Sequence, residues 1–332
     1  MTEQPAWAGA ISRLFISPAE RRLRAGWRLL GHTALLVVFG VVFSVGLAIP
    51  LAVFQFVSGR SFADAVLALS TLVSLPAVTL ATWIARKGLD RRSFRSLGLD
   101  AGPGWRRDLL AGFAIPIPLF GLIYLFELGA GWLDFQSWGW TERGILATAV
   151  GLLTMLLAFV AVGFYEELLF RGYYLQNLEA GTNLVVAVLA SSAAFGLAHL
   201  GNLNASLTST LGIFAAGLFL AYAWLRTRAL WLPIGIHIGW NFLQGPVFGF
   251  EVSGNPTRSL IRHVVNGPEL ITGGAFGPEG GLVVLPAMAI GAGLIWWYTR
   301  HRLIPASTPP AGSPSGLAVD STRAPGAGPT ST

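Results

Sequence analysis

Residues 146–170 read LATAVGLLTMLLAFVAVGFYEELLF, and the part from Leu146 to Tyr165 carries no charged residue. A helix needs about 20 predominantly apolar residues to cross the hydrocarbon core of a bilayer. This run is long enough. It ends on two adjacent carboxylates, Glu166 and Glu167. Ionisable groups at that depth cost about 2.5–3.5 kcal/mol each on insertion scales, so chains keep them where they work or where they pair.

Working outward, comparable apolar runs lie at 33–56, 63–85, 108–129, 184–199, 207–225, 231–250 and 281–299. The run at 184–199 is the shortest. The pattern predicts an all-α integral membrane protein of eight transmembrane helices. Composition agrees. Apolar residues make up 53% and charged residues 11%, against roughly 25% charged in a soluble protein. Twelve Trp suit two membrane–water interfaces. The absence of Cys excludes disulfides, thiolate metal sites and Cys nucleophiles.

Net charge is +6 and the pI is about 10.3. Nucleic acid is not the implied partner, because the basic residues flank apolar runs, where topology explains them. Arg21, Arg22, Arg24 and Arg28 precede the first run. Arg86, Lys87, Arg91, Arg92, Arg95, Arg106 and Arg107 lie between the second and third. Arg226 and Arg228 follow the sixth, and Arg300 and Arg302 the eighth. With eight spans all of these fall on one side. The positive-inside rule makes that side cytoplasmic, with both termini.

Three regions follow: a basic amphipathic segment at 1–30, a membrane domain at 31–303, and a Pro/Gly/Ser-rich tail at 304–332 that reads as disordered. Within the first, Ser17-Pro18-Ala19-Glu20 reads as a capping box opening a helix. That helix would either lie on an anionic membrane face or simply flank the first span. The first run is an uncleaved anchor, being too long for a signal core. The Gly- and Pro-rich stretch at 251–280 reads as an irregular exterior connection with no legible function.

Three polar clusters interrupt the apolar runs. In Glu166-Glu167-Leu168-Leu169-Phe170-Arg171, Glu167 and Arg171 are four apart and can pair on one helix face, which leaves Glu166 without a local partner. Phe195-Gly196-Leu197-Ala198-His199 ends the fifth run, and His237 and Asn241 share a face of the seventh. Alone, each is equally a helix-end pair, an interfacial His or a polar contact between helices. Together they can meet, provided the fourth helix runs on to about Leu178 and turns at 179–183. Glu166 and His199 are then roughly 18 and 24 Å from that turn. One carboxylate, two imidazoles and an amide in a low-dielectric cavity suit hydrolysis by a general base on water with oxyanion stabilisation. Two His and a Glu are also the ligand set of a catalytic zinc, although the H-E-x-x-H spacing is missing.

Glu166-Glu167-x-x-x-Arg171, Phe195-x-x-x-His199 and His237-x-x-x-Asn241, in this order, resemble the motifs of the CAAX protease and bacteriocin-processing family of intramembrane proteases. That family includes the Ras-converting CAAX endopeptidase and abortive-infection-type proteins. The resemblance covers about residues 90–250, and Arg95-Ser96-Leu97-Gly98-Leu99 is similar to a segment that precedes the family core. It implies an endopeptidase acting on a membrane-associated or prenyl-type peptide, in the cell (inner) membrane. Glu166 and His199 would activate water, His237 and Asn241 would bind the oxyanion, and Glu167 and Arg171 would support them. On a metalloprotease description, Glu166, His199 and His237 would hold zinc. A catalytically idle binding or immunity protein of the same fold and a proton-coupled transporter are the alternatives.

Overall fold

The computed structural model of the chain describes residues 14–17, 22–58 and 66–302. The expected tail at 304–332, much of the 1–30 segment and the start of the second run lie outside the described residues. The described chain is mainly helical. Its helices are α1 (Ala25–Ser58), α2 (Val66–Gly88), α3 (Trp105–Ala114) and α4 (Pro116–Gly129), then α5 (Ile145–Gly181). They continue as α6 (Leu184–Ala198), α7 (Leu207–Thr227), α8 (Trp231–Phe242) and α9 (Val284–Thr299). A π-helical turn, Leu243–Val247, extends α8, and α3 runs into α4 at Ile115. Pro116 has no N–H to give the ladder, so the junction falls there.

Among the described residues, five segments are long and apolar enough to cross a membrane: Ala25–Val57, Leu69–Gly88, Trp105–Gly129, Ile145–Gly181 and Leu207–Thr227. The protein is therefore a multi-pass, all-α membrane protein. The remaining predicted spans are shorter. Helix α6 has 15 residues and rises about 22 Å, against a hydrocarbon core of about 30 Å.

Close approach of helices fixes the arrangement, and glycines permit it. A Cβ on Gly235 would lie 2.1 Å from the Leu109 carbonyl, and one on Gly239 2.4 Å from that of Phe113. A Cβ on Gly112 would lie 2.4 Å from the Leu232 carbonyl. Small residues let backbones of membrane helices touch in this way, so α3 and α8 pack backbone to backbone. Gly163 does the same for α5, since a Cβ there would meet Ile238 at 2.8 Å. These contacts bring the C-terminal part of α5 against the middle of α8.

At the basic end, Asp90 is buried and accepts from Arg86 Nη1 at 2.7 Å and from Arg28 Nη1 at 3.4 Å. The segment Arg95–Leu99 is a clasp on this side. Arg86 reaches Ser96 Oγ at 2.9 Å, Gln176 donates to the Leu97 carbonyl at 2.8 Å, and Leu230 N–H donates to that of Gly98 at 2.9 Å.

Pro18, Ala19 and Glu20 of the expected capping box lie outside the described residues. Ser17 pairs with Arg22 in a two-residue antiparallel ladder, β1 (Ile16–Ser17) with β2 (Arg22–Leu23), and α1 begins at Ala25. Two expectations are corrected. Arg28 turns inward to the Asp90 carboxylate, which needs a counter-charge when buried, and Arg22 turns inward to the Asp90 backbone carbonyl, rather than outward to headgroups. The 251–280 stretch is likewise not an irregular connection. It contains β4 (Ile261–Val265), which pairs antiparallel with β3 (Leu133–Trp138), and its two ends fold inward over the helices.

Candidate active site

The condition on the fourth helix holds. Helix α5 is continuous from Ile145 through the π-helical turn Leu168–Tyr174 to Gly181. Fifteen residues separate Glu166 from Gly181, and α6 is also 15 residues long. Glu166 and His199 therefore both stand about 22 Å from the turn at Thr182–Asn183. Asn183 caps α6, its side chain accepting from Val186 N–H at 3.0 Å. The helix ends at His199, and the chain turns back into α7.

The predicted polar residues converge. His237 Nε2 lies 3.7 Å and His199 Nε2 lies 3.9 Å from the same oxygen, Glu166 Oε2. That oxygen is buried and has no hydrogen-bond partner. Glu167, fully buried, turns the other way. Its Oε1 accepts from Arg171 Nη1 at 2.7 Å and faces His237 Nδ1 at 2.9 Å. The pair of adjacent carboxylates is thus divided between two tasks. Glu167 is bound through its Oε1 to Arg171 and His237 and is structural, whereas Glu166 makes no such bond through Oε2, which faces two imidazoles.

The rings are held on several sides. His199 Nδ1 bonds the Phe195 carbonyl at 2.8 Å, which leaves Nε2 toward Glu166. Phe195 stands edge-on to both imidazoles, with ring centroids 4.8 Å from His199 and 6.0 Å from His237. The Arg171 guanidinium lies 4.3 Å from the centre of the Phe195 ring and donates to the Gly217 carbonyl at 3.0 Å. Arg171 thereby ties α5, α6 and α7 together around the site. Asn241, one turn beyond His237, is buried and lines the same cavity.

The cavity measures about 810 Å³. Its wall toward α1 and α2 is apolar or small, with Leu36, Gly40, Val73 and Ala77. Among the described lining residues there is no Lys or Arg, whereas Glu166 and Glu279 both face in. Glu279 was invisible to sequence reasoning, standing in Pro278-Glu279-Gly280-Gly281 within a stretch that reads as a loop. It is buried and accepts from Ser253 Oγ at 2.6 Å and from Ser253 N–H. Burial pushes its carboxyl up, against the pull of Ser253, His199 and Gln244.

A zinc ion would need a tighter donor set than this one. Ligands about 2.0–2.1 Å from a tetrahedral ion stand about 3.3–3.4 Å from one another. The distances from Glu166 Oε2 to the two rings are wider, and among the described residues no group of three His, Asp or Glu side chains has the spacing to hold an ion. The set does not fit an ion as it stands.

Comparison with known proteins bears on the same elements. Residues 148–243 match the family described as "Type II CAAX prenyl endopeptidase Rce1-like". The chain is also similar to the Bacillus subtilis (strain 168) protein named "Putative membrane peptidase YdiL", 29% identical over 161 residues. That match spans 46% of this chain and 62% of the relative. No solved structure gives a significant match. The resemblance to the CAAX protease and bacteriocin-processing family therefore holds over the helices that carry the motifs.

Proposed function

We propose, taking the Rce1-like core at 148–243 as premise, that this chain is an intramembrane endopeptidase that hydrolyses a peptide bond of a membrane-associated or lipidated substrate. The observation that carries the reading is the unpartnered Glu166 Oε2, facing His237 Nε2 at 3.7 Å and His199 Nε2 at 3.9 Å in the cavity. A carboxylate oxygen with no donor on it is free to accept a proton from a water and so to act as a general base.

In this mechanism the water oxygen bonds the scissile carbonyl carbon while Glu166, assisted by His199, takes its proton. The carbonyl electrons move onto the oxygen. Asn241 is the neutral donor for that oxyanion, and His237 donates from Nε2 when its ring is an imidazolium, with Nδ1–H given to Glu167. The proton held by Glu166 or His199 then passes to the leaving nitrogen as the C–N bond breaks. Glu167 and Arg171 act through His237 and Phe195 rather than on the substrate. Metal dependence is a separate proposition, and no step is routed through an ion here.

The same reading carries the topology. The apolar helices α1, α2, α3–α4, α5, α6, α7, α8 and α9 serve as eight membrane segments, with α6 ending near mid-depth and the 251–280 segment capping it. On this reading the basic flanks favour both termini in the cytoplasm, and the protein sits in the cell (inner) membrane. The region at 31–303 is the membrane domain.

The test is cleavage by the purified full chain in detergent of a farnesylated CAAX peptide and a set of hydrophobic peptides, for wild type and Glu166→Ala. Turnover that disappears in the variant while peptide binding persists supports the reading. Equal turnover in both proteins overturns it.

A further inference from the structure

The matched region stops at Leu243, yet the cavity does not. Its far wall is built from three turns that belong to different parts of the chain: 199–206 between α6 and α7, 251–255 after α8, and 277–280 before α9. Glycines let them interlock. A Cβ on Gly254, which has φ +79°, would lie 1.8 Å from the Leu203 carbonyl. One on Gly212 of α7 would lie 1.9 Å from the Glu279 carbonyl, and one on Gly277, with φ +101°, 2.1 Å from that of Glu251. Such contacts leave no tolerance for a shift.

Glu279 is the group these turns share. Its carboxylate holds Ser253 through both the backbone N–H and the hydroxyl. Ser253 sits at φ +48°, a left-handed conformation that a non-Gly residue keeps only when its surroundings enforce it. The Ser253 carbonyl accepts from Asn202 Nδ2 at 3.0 Å, and Asn202 N–H in turn bonds the His199 carbonyl at 3.1 Å. On the other side the segment that carries Glu279 packs against Gln244, since a Cβ on Gly277 would lie 2.9 Å from Gln244 Nε2, which donates to the Glu251 carbonyl at 2.6 Å. Gln244 is on the π-helical turn that extends α8, one turn past Asn241. One buried carboxylate is therefore bonded to the turn that holds His199 and stands beside the end of the His237/Asn241 helix.

We infer that Glu279 is a positioning residue for this site: through Ser253–Asn202 it fixes His199, and through the packing of its segment on Gln244 it fixes α8 with His237 and Asn241. It does not touch the reacting atoms. These two contacts join the two helix ends that have to stay in register across the cavity, because α6 ends at His199 and no further helical turn supports it. The kinetic part of this inference rests on the peptidase reading, and the spectroscopic part does not.

The experiment uses the full chain in detergent micelles, labelled with [13Cε1]histidine. The chain has five His and no Cys, so each signal can be assigned by single His→Gln substitution. Spectra at one fixed pH, thermal midpoints and turnover of whichever probe peptide wild type cleaves are compared for Glu279→Gln, Glu279→Ala and the exterior-loop control Glu269→Gln. The expected result is that Glu279→Ala moves and broadens the His199 and His237 signals. Its kcat should fall at least about tenfold with KM little changed, as misplacement of catalytic groups does. Glu279→Gln, which keeps one acceptor for Ser253, should restore part of both, and Glu269→Gln should change neither.

Should Glu279→Ala fail to fold, Ser253→Ala and Gln244→Ala separate the two contacts. The first should act mainly on the His199 signal, the second mainly on that of His237. Histidine signals at wild-type positions in folded Glu279→Ala, or in both of these variants, would overturn the inference and leave Glu279 a mere latch of the loop. If wild type cleaves no peptide, the peptidase reading fails, and the spectra still decide the role of Glu279.

Discussion

His237 Nδ1 stands 2.9 Å from Glu167 Oε1, the same oxygen that accepts from Arg171 Nη1 at 2.7 Å. The two elements that carry the candidate chemistry, α5 and α8, thus meet through a carboxylate that is itself fully buried. Glu166 and Glu167 are neighbours in sequence but point about 100° apart on a helix. That difference turns one into a structural anchor and exposes the other to the cavity.

The first prediction separates these two roles. Glu167→Ala leaves the Arg171 guanidinium, 1% exposed, without its closest counter-charge. Breaking a buried pair by removing one partner costs about 3–5 kcal/mol. Thermal or denaturant unfolding in detergent should show a loss of that size. Glu166→Gln should leave stability unchanged or slightly raised, since the oxygen it removes has no partner. The paired change Glu167→Leu with Arg171→Leu should recover most of the stability but none of the turnover. Equal destabilisation by Glu166→Gln and Glu167→Ala would refute the division.

Much of this was legible in the sequence. The apolar runs, the Glu167–Arg171 spacing and the shared face of His237 and Asn241 depend on helical periodicity, which a sequence displays directly. The convergence of Glu166 with His199 was legible as well, because helix rise converts residue counts into heights. What periodicity does not carry stayed hidden. Nothing local marks Glu279 as buried, since its burial comes from turns that are distant in sequence and interlock through Gly212, Gly254 and Gly277. The inward turn of Arg22 and Arg28 was hidden for the same reason. A basic flank looks alike whether it meets headgroups or Asp90.

A second prediction concerns the α3–α8 contact. Gly235→Val or Gly239→Val drives a side chain into the Leu109 or Phe113 carbonyl, with even a Cβ at 2.1 or 2.4 Å. The helices have to separate, and His237 and Asn241 move with α8. Overpacking of this kind costs roughly 1–3 kcal/mol, and turnover should fall more steeply than stability. Gly46→Ala is the comparison, because nothing lies within 4 Å of a Cβ there and the residue does not line the cavity. A Gly239→Val protein with wild-type turnover would show that the close contact does not set the site.

A third prediction addresses metal. The donors around Glu166 Oε2 are wider than an ion's ligand sphere, and no three in the described residues have metal-holding spacing. Turnover should therefore survive a strong chelator, and elemental analysis of the purified protein should find zinc well below one equivalent. Stoichiometric zinc with chelator-sensitive turnover would sink this. It would mean that both imidazoles and Glu166 close by a few tenths of an ångström on the ion.

The last prediction is a pH dependence of stability rather than of chemistry. His263, on β4, is packed among Tyr124 and Phe250, with ring centroids 5.8 and 4.8 Å away. Both its ring nitrogens are buried without a partner. Burial lowers its pKa from 6.5 to about 4, and no charged neighbour contributes. Between those values the unfolded chain binds a proton that the folded chain refuses, so stability is full above about pH 6.5 and falls as pH drops toward 4. Glu279 and Glu251, whose carboxyls are raised by burial, act with the opposite sign over part of the same range. The contribution of His263 is therefore read as a difference between proteins. The thermal midpoint of wild type should drop further between pH 7.5 and pH 5 than that of His263→Phe, which keeps the aromatic packing and has no proton to gain. Parallel drops would mean that β4 opens to solvent before the ring is protonated, and that the strand pairing with β3 is looser than its ladder suggests.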